Sequence, residues 1–253
     1  MATWIAHLRL AENLLPMIDG LDAHSFAIGN VAPDSGIPDE KWEKFDPPSE
    51  VTHFLTSGQD GWYCADMKFY HRYVAPLDPT NDEEHFSFLL GYFFHLVTDN
   101  LWRHQIVRPT KRRFAAAFAA DAQFIWEVKR DWYGVDFVFV RQHPDSLFWR
   151  VFLDCRYTQD YLDFLPQGAI QRNLDHIKEF YQRTDEKIEK RYHERPCIYL
   201  SPTEMDSFIA DTTQRLYEAY QRVGEGGTAT LGVASMLDFF LAEGVIQSDE
   251  NSV

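Results

Sequence analysis

The stretch HFSFLLGYFFHLVTDNLWRH, running from His85 to His104, decides how this chain folds. It is the most apolar segment of the sequence, yet it carries His95 and Asp99. Asn81, Asp82, Glu83 and Glu84 precede it. They supply a cap and acids that suit the positive end of a helix dipole. The pattern predicts a helix as far as Ile106 or Val107, stopped by Pro109. On a wheel of about 100° per residue, Phe88, Gly91, His95, Asp99 and Trp102 share one face. An imidazole and a carboxylate one turn apart make half of a metal site. They also make an ordinary buried hydrogen bond. Gly91, on the same face, would let another element come close to His95. A straight helix puts His104 nearly opposite His95, outside any site built on that face.

Working outward, Thr3 to Leu15 reads as a first helix, with Thr3, His7, Leu10, Ala11 and Leu14 on one face and Pro16 as its stop. Residues 19–60 are punctuated by Gly, Pro, Asp and Ser and read as a long irregular segment with a helical turn at 49–54. Phe26, Ile28, Val31, Trp42 and Phe45 give it apolar mass, which argues against disorder. Further helices are expected over Ala65–Val74, Arg113–Trp132, Pro144–Arg156, Ile170–Arg191 and Leu231–Ala242. Ile170–Arg191 reads as largely solvated. Ser201-Pro202-Thr203-Glu204 is a capping box with proline in the first turn, a helix start. DFVFV, residues 136–140, reads as an extended connector because an isolated strand would have no partner. The expected fold is a single all-α bundle of roughly eight helices over residues 1–246, with a long functional loop after the first helix and a flexible tail at 247–253.

Composition narrows the function. The net charge of -15 argues against binding bare nucleic acid or anionic lipid by charge. A phosphorylated substrate is compatible with that charge if bound cations reverse the local field. No run of about twenty apolar residues is free of charge, so no membrane span is expected. The first residues lack the pattern of a secretory signal. Cys64, Cys155 and Cys197 are widely spaced and form no paired motif, which suits a reducing compartment. The cytoplasm is the expected location. Phosphate-binding glycine loops, a dinucleotide fingerprint and a nucleophile elbow are absent from the sequence.

Three other residues bear on the His95/Asp99 pair. His7 sits on the apolar face of the first helix, where a lone histidine is ordinarily core filling. Asp34 sits in GNVAPDSG, where a turn or cap is the plain reading, and His53 in PPSEVTHF, where a surface residue is. Together they give the order His, Asp, His, His-x-x-x-Asp. That order resembles the zinc-dependent phospholipase C superfamily, which includes secreted single-strand nucleases. GNVAPDSG, PPSEVTHF, FLLGYFFHLVTD and DFLPQGAI (163–170) resemble a bacterial branch of zinc-dependent hydrolases within it.

The resemblance implies an all-α fold and a metal cluster held by His7, Asp34, His53, His95 and Asp99. Asp99 would bridge two ions, and Asp34 would be both ligand and general base. Such a pair of zinc ions, about 3.5 to 4 Å apart, holds a hydroxide for attack on phosphorus. His and Asp donors also accept Mn, Fe or Ni. The implied substrate is a small phosphoester, with a lipid head group among the candidates. Two features depart from the secreted members. Those use an N-terminal amine on a tryptophan, whereas Trp4 is not at the start here. Those also hold a third metal on a later His-x-x-x-acid, which this sequence lacks: Leu147 follows His143 and Phe180 follows His176 at that spacing. Two ions are therefore expected, and a non-catalytic structural or sensory metal centre is the alternative. His85 reads as a surface residue, and His24, His71, His143, His176 and His193 have no usable spacing. Lys68, Arg72 and Arg103 read as solvated charges.

Overall fold

The computed structural model describes residues 1–40, 44–58, 61–183, 197–224 and 232–246. The expected tail at 247–253 and the expected helix beyond Arg183 lie outside them, as does Trp42. The central helix, which we number α5, spans Glu83–Trp102. Asp82 caps it by accepting the His85 amide hydrogen at 3.0 Å. Every side chain from Phe86 to Trp102 is buried. A helix apolar on all sides must be covered on all sides, and α5 is the element around which the others pack.

α1 (Trp4–Leu14) begins where Thr3 accepts the Ala6 amide hydrogen. α2 (Ala23–Gly29) is capped by Asp22 and crosses α5 at glycines. A Cβ on Gly29 would lie 2.1 Å from the Phe88 carbonyl oxygen, and one on Gly91 2.6 Å from that of Phe26. Those backbones touch, so neither position tolerates a side chain without separating the helices. This α2–α5 contact overturns the expectation that residues 19–60 are irregular apart from a helical turn at 49–54. A seven-residue helix is too short for periodicity to announce, and packing rather than propensity holds it. The remainder forms two antiparallel ribbons, β1 (Ile37–Pro38) with β2 (Phe45–Asp46) and β3 (Leu55–Gly58) with β4 (Gly61–Cys64), and α3 (Ser49–Thr52).

α4 (Asp66–Phe69) continues as a π-helical turn over Tyr70–Val74, and α5 leaves through another over Arg103–Val107 into α6 (Arg108–Arg113). After α7 (Ala115–Ala120), α8 spans Phe124–Gln142. The DFVFV connector is therefore wrong: residues 136–140 continue one long helix. Val128, Trp132, Val135, Asp136 and Val140 are its buried stripe, at helical spacing. Five residues, four of them β-branched or aromatic, read alone hid a period that needs more than ten to show. α9 (Leu147–Arg150) and a 3₁₀ turn at Phe152–Asp154 replace the longer helix expected through Arg156. α10 (Ala169–Gln182) is less solvated than expected, since Ile170, Leu174, Ile177 and Tyr181 are buried. α11 (Pro202–Gly224) starts at the capping box: Ser201 N–H donates to Glu204 Oε2 at 2.7 Å and Glu204 N–H to Ser201 Oγ at 3.2 Å. α12 (Met236–Ala242) closes the bundle. Among the described residues no helix is long and apolar enough to cross a membrane.

Asp136 links α8 to the start of α1. Its Oδ1 accepts from the Thr3 hydroxyl at 2.8 Å and its Oδ2 from the Tyr181 phenol at 2.6 Å. Burial pushes its pKa up to about 7 despite those donors. The native state thus holds the proton more tightly than the unfolded chain does. The stabilisation is full below about pH 4 and lost as pH rises through about 7. Metal-free wild type measured against Asp136→Asn, which stays neutral, should lose relative stability across that window by up to about 1.4 kcal/mol per pH unit. Urea titrations at several pH values would show it, and a constant difference would contradict the shifted pKa.

Candidate metal centre

Four separate parts of the bundle carry the five expected ligands, and the five meet at one point. His95 and Asp99 project from α5 on successive turns, and His7 comes from α1. Asp34 ends a 3₁₀ turn (Ala32–Asp34) just beyond α2, and His53 caps the C-terminus of α3. His7 and His95 stack with centroids 3.8 Å apart and planes within 5°. Asp99 Oδ1 lies 3.5 Å from His7 Nε2, and its Oδ2 lies 3.6 Å from both His53 Nε2 and His95 Nε2. His53 Nε2 is 3.3 Å from Asp34 Oδ1 and 3.3 Å from His95 Nε2. His7, His95 and Asp99 form one triad of donors, and Asp34, His53 and His95 another, each with its ligand atoms within 4.8 Å of one another.

Neighbouring groups fix the rings. His95 Nδ1–H donates to the Asn30 carbonyl at 2.8 Å. A carbonyl can only accept, so in the neutral ring Nε2 presents its lone pair to the cluster. Asn30 reaches His95 because the glycine crossing brings the end of α2 against α5. His53 Nδ1 shares a hydrogen bond of 2.9 Å with the Thr52 hydroxyl, and the Tyr92 phenol of α5 donates to the Thr52 carbonyl. Phe54, which follows His53, has a φ of 52°, a region an aromatic residue rarely enters. Its ring is packed edge-on against Phe69 and Phe164. The Ala2 amide donates to Asp99 Oδ1 at 2.7 Å.

The donor set fits a metal. Both ring nitrogens of His7 and Oδ2 of Asp99 are buried without a hydrogen-bond partner. Leaving such atoms unsatisfied costs about 1–3 kcal/mol each, and an ion would satisfy one nitrogen of His7 and Oδ2 of Asp99. Donors about 2.0–2.2 Å from a tetrahedral zinc stand about 3.4 Å apart, close to the 3.3–3.6 Å separations here. The electrostatics agree. Burial, then the charge of His95, pulls His7 down to about 4. Burial works against ionised Asp99, but the N-terminal amine, His95 and His7 outweigh it and hold that carboxyl well below its usual range. Asp34 is likewise held low, its burial outweighed by His53 and His95. Burial opposes charge on His95, and Asp99 reverses the balance and raises its pKa.

Other residues stand elsewhere. His104 is buried in the π-helical turn, belongs to neither triad, and lines a cavity of about 310 Å³ with Tyr63, Arg103, Arg108 and Asp238. His85 stacks on Tyr161 at 4.1 Å. Trp4 packs against His176, Phe180 and Tyr181. Arg72 pairs with Asp163 at 3.0 Å on the surface, Lys68 is exposed, and Arg103 lies against Gly61. The sequence alone did not reveal the supports Asn30 and Thr52. Each lies within a recognised string, GNVAPDSG or PPSEVTHF, but nothing local says that it touches a ring.

Neither curated proteins nor solved structures yield a significant match to this chain. A family model described as zinc dependent phospholipase C matches residues 6–222, a span that contains all five converging side chains. With most of the chain matched, and with its helical fold, this protein belongs to the zinc-dependent phospholipase C family.

Proposed function

We propose that this protein hydrolyses phosphoesters at a site that holds two metal ions, zinc by preference, with Mn, Fe or Ni accepted by the same donors. His7, Asp34, His53, His95 and Asp99 would hold them, Asp99 serving both. One observation carries the reading: the two oxygens of Asp99 face different partners, Oδ1 towards His7 and Oδ2 towards His53 and His95. A carboxylate that only anchored one core histidine would need one oxygen. Bound zinc supplies Lewis acidity towards a phosphoryl oxygen and acidifies a water molecule to a pKa of about 7.

The chain's own groups do the rest. Asn30 and Thr52 hold the His95 and His53 rings in one orientation. The apolar flanks of α5 exclude bulk water behind the site. Asp34 has the most accessible side chain of the five, 11% against 3% for Asp99. It therefore marks the open side and is the residue suited to take a proton from an attacking water. That opening also favours a catalytic centre over the structural or sensory alternative, which protein ligands would close. The substrate is a phosphodiester or phosphomonoester of modest size, and the family description points to a phospholipid head group. The free thiols Cys64, Cys155 and Cys197 suit a reducing compartment, so we assign the protein to the cytoplasm. Zinc-loaded protein should carry two ions by elemental analysis and anomalous scattering, and should cleave chromogenic phosphoesters. Failure on every ester of a mono- and diester panel, with metal bound, would transfer the assignment to the non-catalytic alternative.

A further inference from the structure

Helices α6 and α7 form a surface that no part of the proposed chemistry uses. α6 ends in Lys111, Arg112 and Arg113, all exposed. α7 reads AAAFAA, and none of its six residues is buried. Its exposed residues are Ala115, Ala116, Ala119 and Ala120, a spacing that puts them on one face. The opposite face is seated on rings. Between centroids, Phe114 lies 4.9 Å from Tyr199, Phe118 4.9 Å from Phe124, and Phe124 5.6 Å from Tyr199. The apolar surface continues beside that seat. Trp126, two residues after Phe124, is 59% exposed, and Ile198, the neighbour of Tyr199, is 48% exposed.

Folding does not require this composition. A surface helix ordinarily turns polar and charged residues outward, and one exposed apolar residue on its own would mean little. Here the outward face of α7 carries no polar side chain, and cations border it. Lys111 Nζ lies 5.9 Å from the ring centroid of Phe118, the Arg113 guanidinium carbon 5.1 Å from that of Phe114, and Lys129 Nζ 4.8 Å from that of Trp126. The stems of these side chains thus follow the rings, and their charges stand at the rim. A segment seated at a lipid–water interface is built this way, apolar in the middle, with tryptophan at the edge and basic groups at the level of the phosphates. The net charge of -15 repels the chain as a whole from anionic lipid, but charge is unevenly spread. Residues 100–120 hold five cations, Arg103, Arg108, Lys111, Arg112 and Arg113, and no acid. An acidic body with one basic, apolar face approaches an anionic surface by that face. Protein interfaces are held by large anchors in pockets. Four alanines provide none, and a bilayer requires none.

We propose that this face docks on an anionic phospholipid bilayer. The alanines of α7 and the Trp126 indole enter the headgroup layer, and Lys111, Arg112 and Arg113 pair with lipid phosphates. The docking rests on the phosphoesterase reading only for its purpose, delivery to a phospholipid substrate. The test is flotation of the zinc-loaded chain with vesicles of equal parts phosphatidylglycerol and phosphatidylcholine, beside vesicles of phosphatidylcholine alone. The wild type should float with the anionic vesicles at about 0.1 M salt, and neither at about 0.5 M salt nor with phosphatidylcholine alone. Changing Lys111, Arg112 and Arg113 together to glutamine should cut partitioning about hundredfold, about fivefold per charge. Ala119→Glu sits at an exposed helical position that tolerates glutamate, and should cut it by more than about tenfold. Trp126→Ala should also remove most of the fluorescence blue shift that docking produces. All three variants should hydrolyse soluble p-nitrophenyl phosphate as the wild type does. No binding by the wild type, or equal binding by the wild type and the folded variants, overturns the proposal. A dimer that Ala119→Glu disrupts, with no vesicle binding, overturns it as well and makes a second copy the occupant. A wild type that docks but cleaves no ester upholds the docking face and removes the esterase reading. One that cleaves soluble esters without docking removes the docking face alone.

Discussion

Replacing Asp99 with alanine is expected to leave a protein that retains neither metal ion and has lost kcat/KM by at least about a thousandfold. The size of the effect follows from geometry. Among the described residues, Asp99 is the one side chain whose two oxygens face separate histidines. Its removal strips a donor from each proposed ion and leaves Asp34 to face the buried imidazoles. His7→Ala sets the scale, because His7 approaches only Oδ1 of that carboxylate. That variant should keep about one ion of two. Elemental analysis after dialysis against a weak chelator separates these outcomes. Two ions retained in Asp99→Ala would remove the bridging role, whatever happened to activity. Circular dichroism of the metal-free variants controls for unfolding.

The second large effect lies where no chemistry occurs. Gly29→Ala should destabilise the protein by about 3 kcal/mol or more, lowering Tm by about 6–12 °C. Its Cβ would fall 2.1 Å from the Phe88 carbonyl oxygen and 3.1 Å from the Gly91 Cα. Both obstacles are backbone of α5, so neither can swing aside. Gly91→Ala meets the Phe26 oxygen at 2.6 Å and the Asn30 amide nitrogen at 3.0 Å. It should add a second defect: Asn30 is the residue that orients His95, so zinc affinity should fall along with stability, by about ten- to hundredfold. Gly224→Ala is the control. Its Cβ would meet nothing within 4 Å, and a helical position gains from alanine. Thermal melts of the three variants decide the matter. If Gly29→Ala and Gly224→Ala melt alike, α2 and α5 do not meet as closely as the structure has them.

The parts of this protein that local rules govern were legible in its residues. The caps before Glu83 and at Ser201 locate two helix starts to within a residue or so, because a cap needs only its own next turn. The four-residue step from His95 to Asp99 puts both on one face, because the helix repeat requires it. Gly91 marked a close approach, because a glycine inside an apolar helix otherwise weakens it. Two elements failed for want of length or context. Ala23–Gly29 was too short to show a period. Residues 136–140 resemble a strand only when cut away from Val128 and Trp132, the earlier turns of their stripe.

What the sequence by itself determined is therefore the scaffold: an apolar central helix, its ends, and the one His–Asp pair that helical repeat alone aligns. Only the tertiary structure decided that His7, Asp34 and His53 meet that pair, with Asp99 between them. Helix period and capping act over four residues, and a sequence displays them directly. The convergence depends instead on the crossing of Gly29 over Gly91, which sets how near the α2 end and the Asp34 turn come to α5. That separation is a property of two packed backbones, and no single segment encodes it.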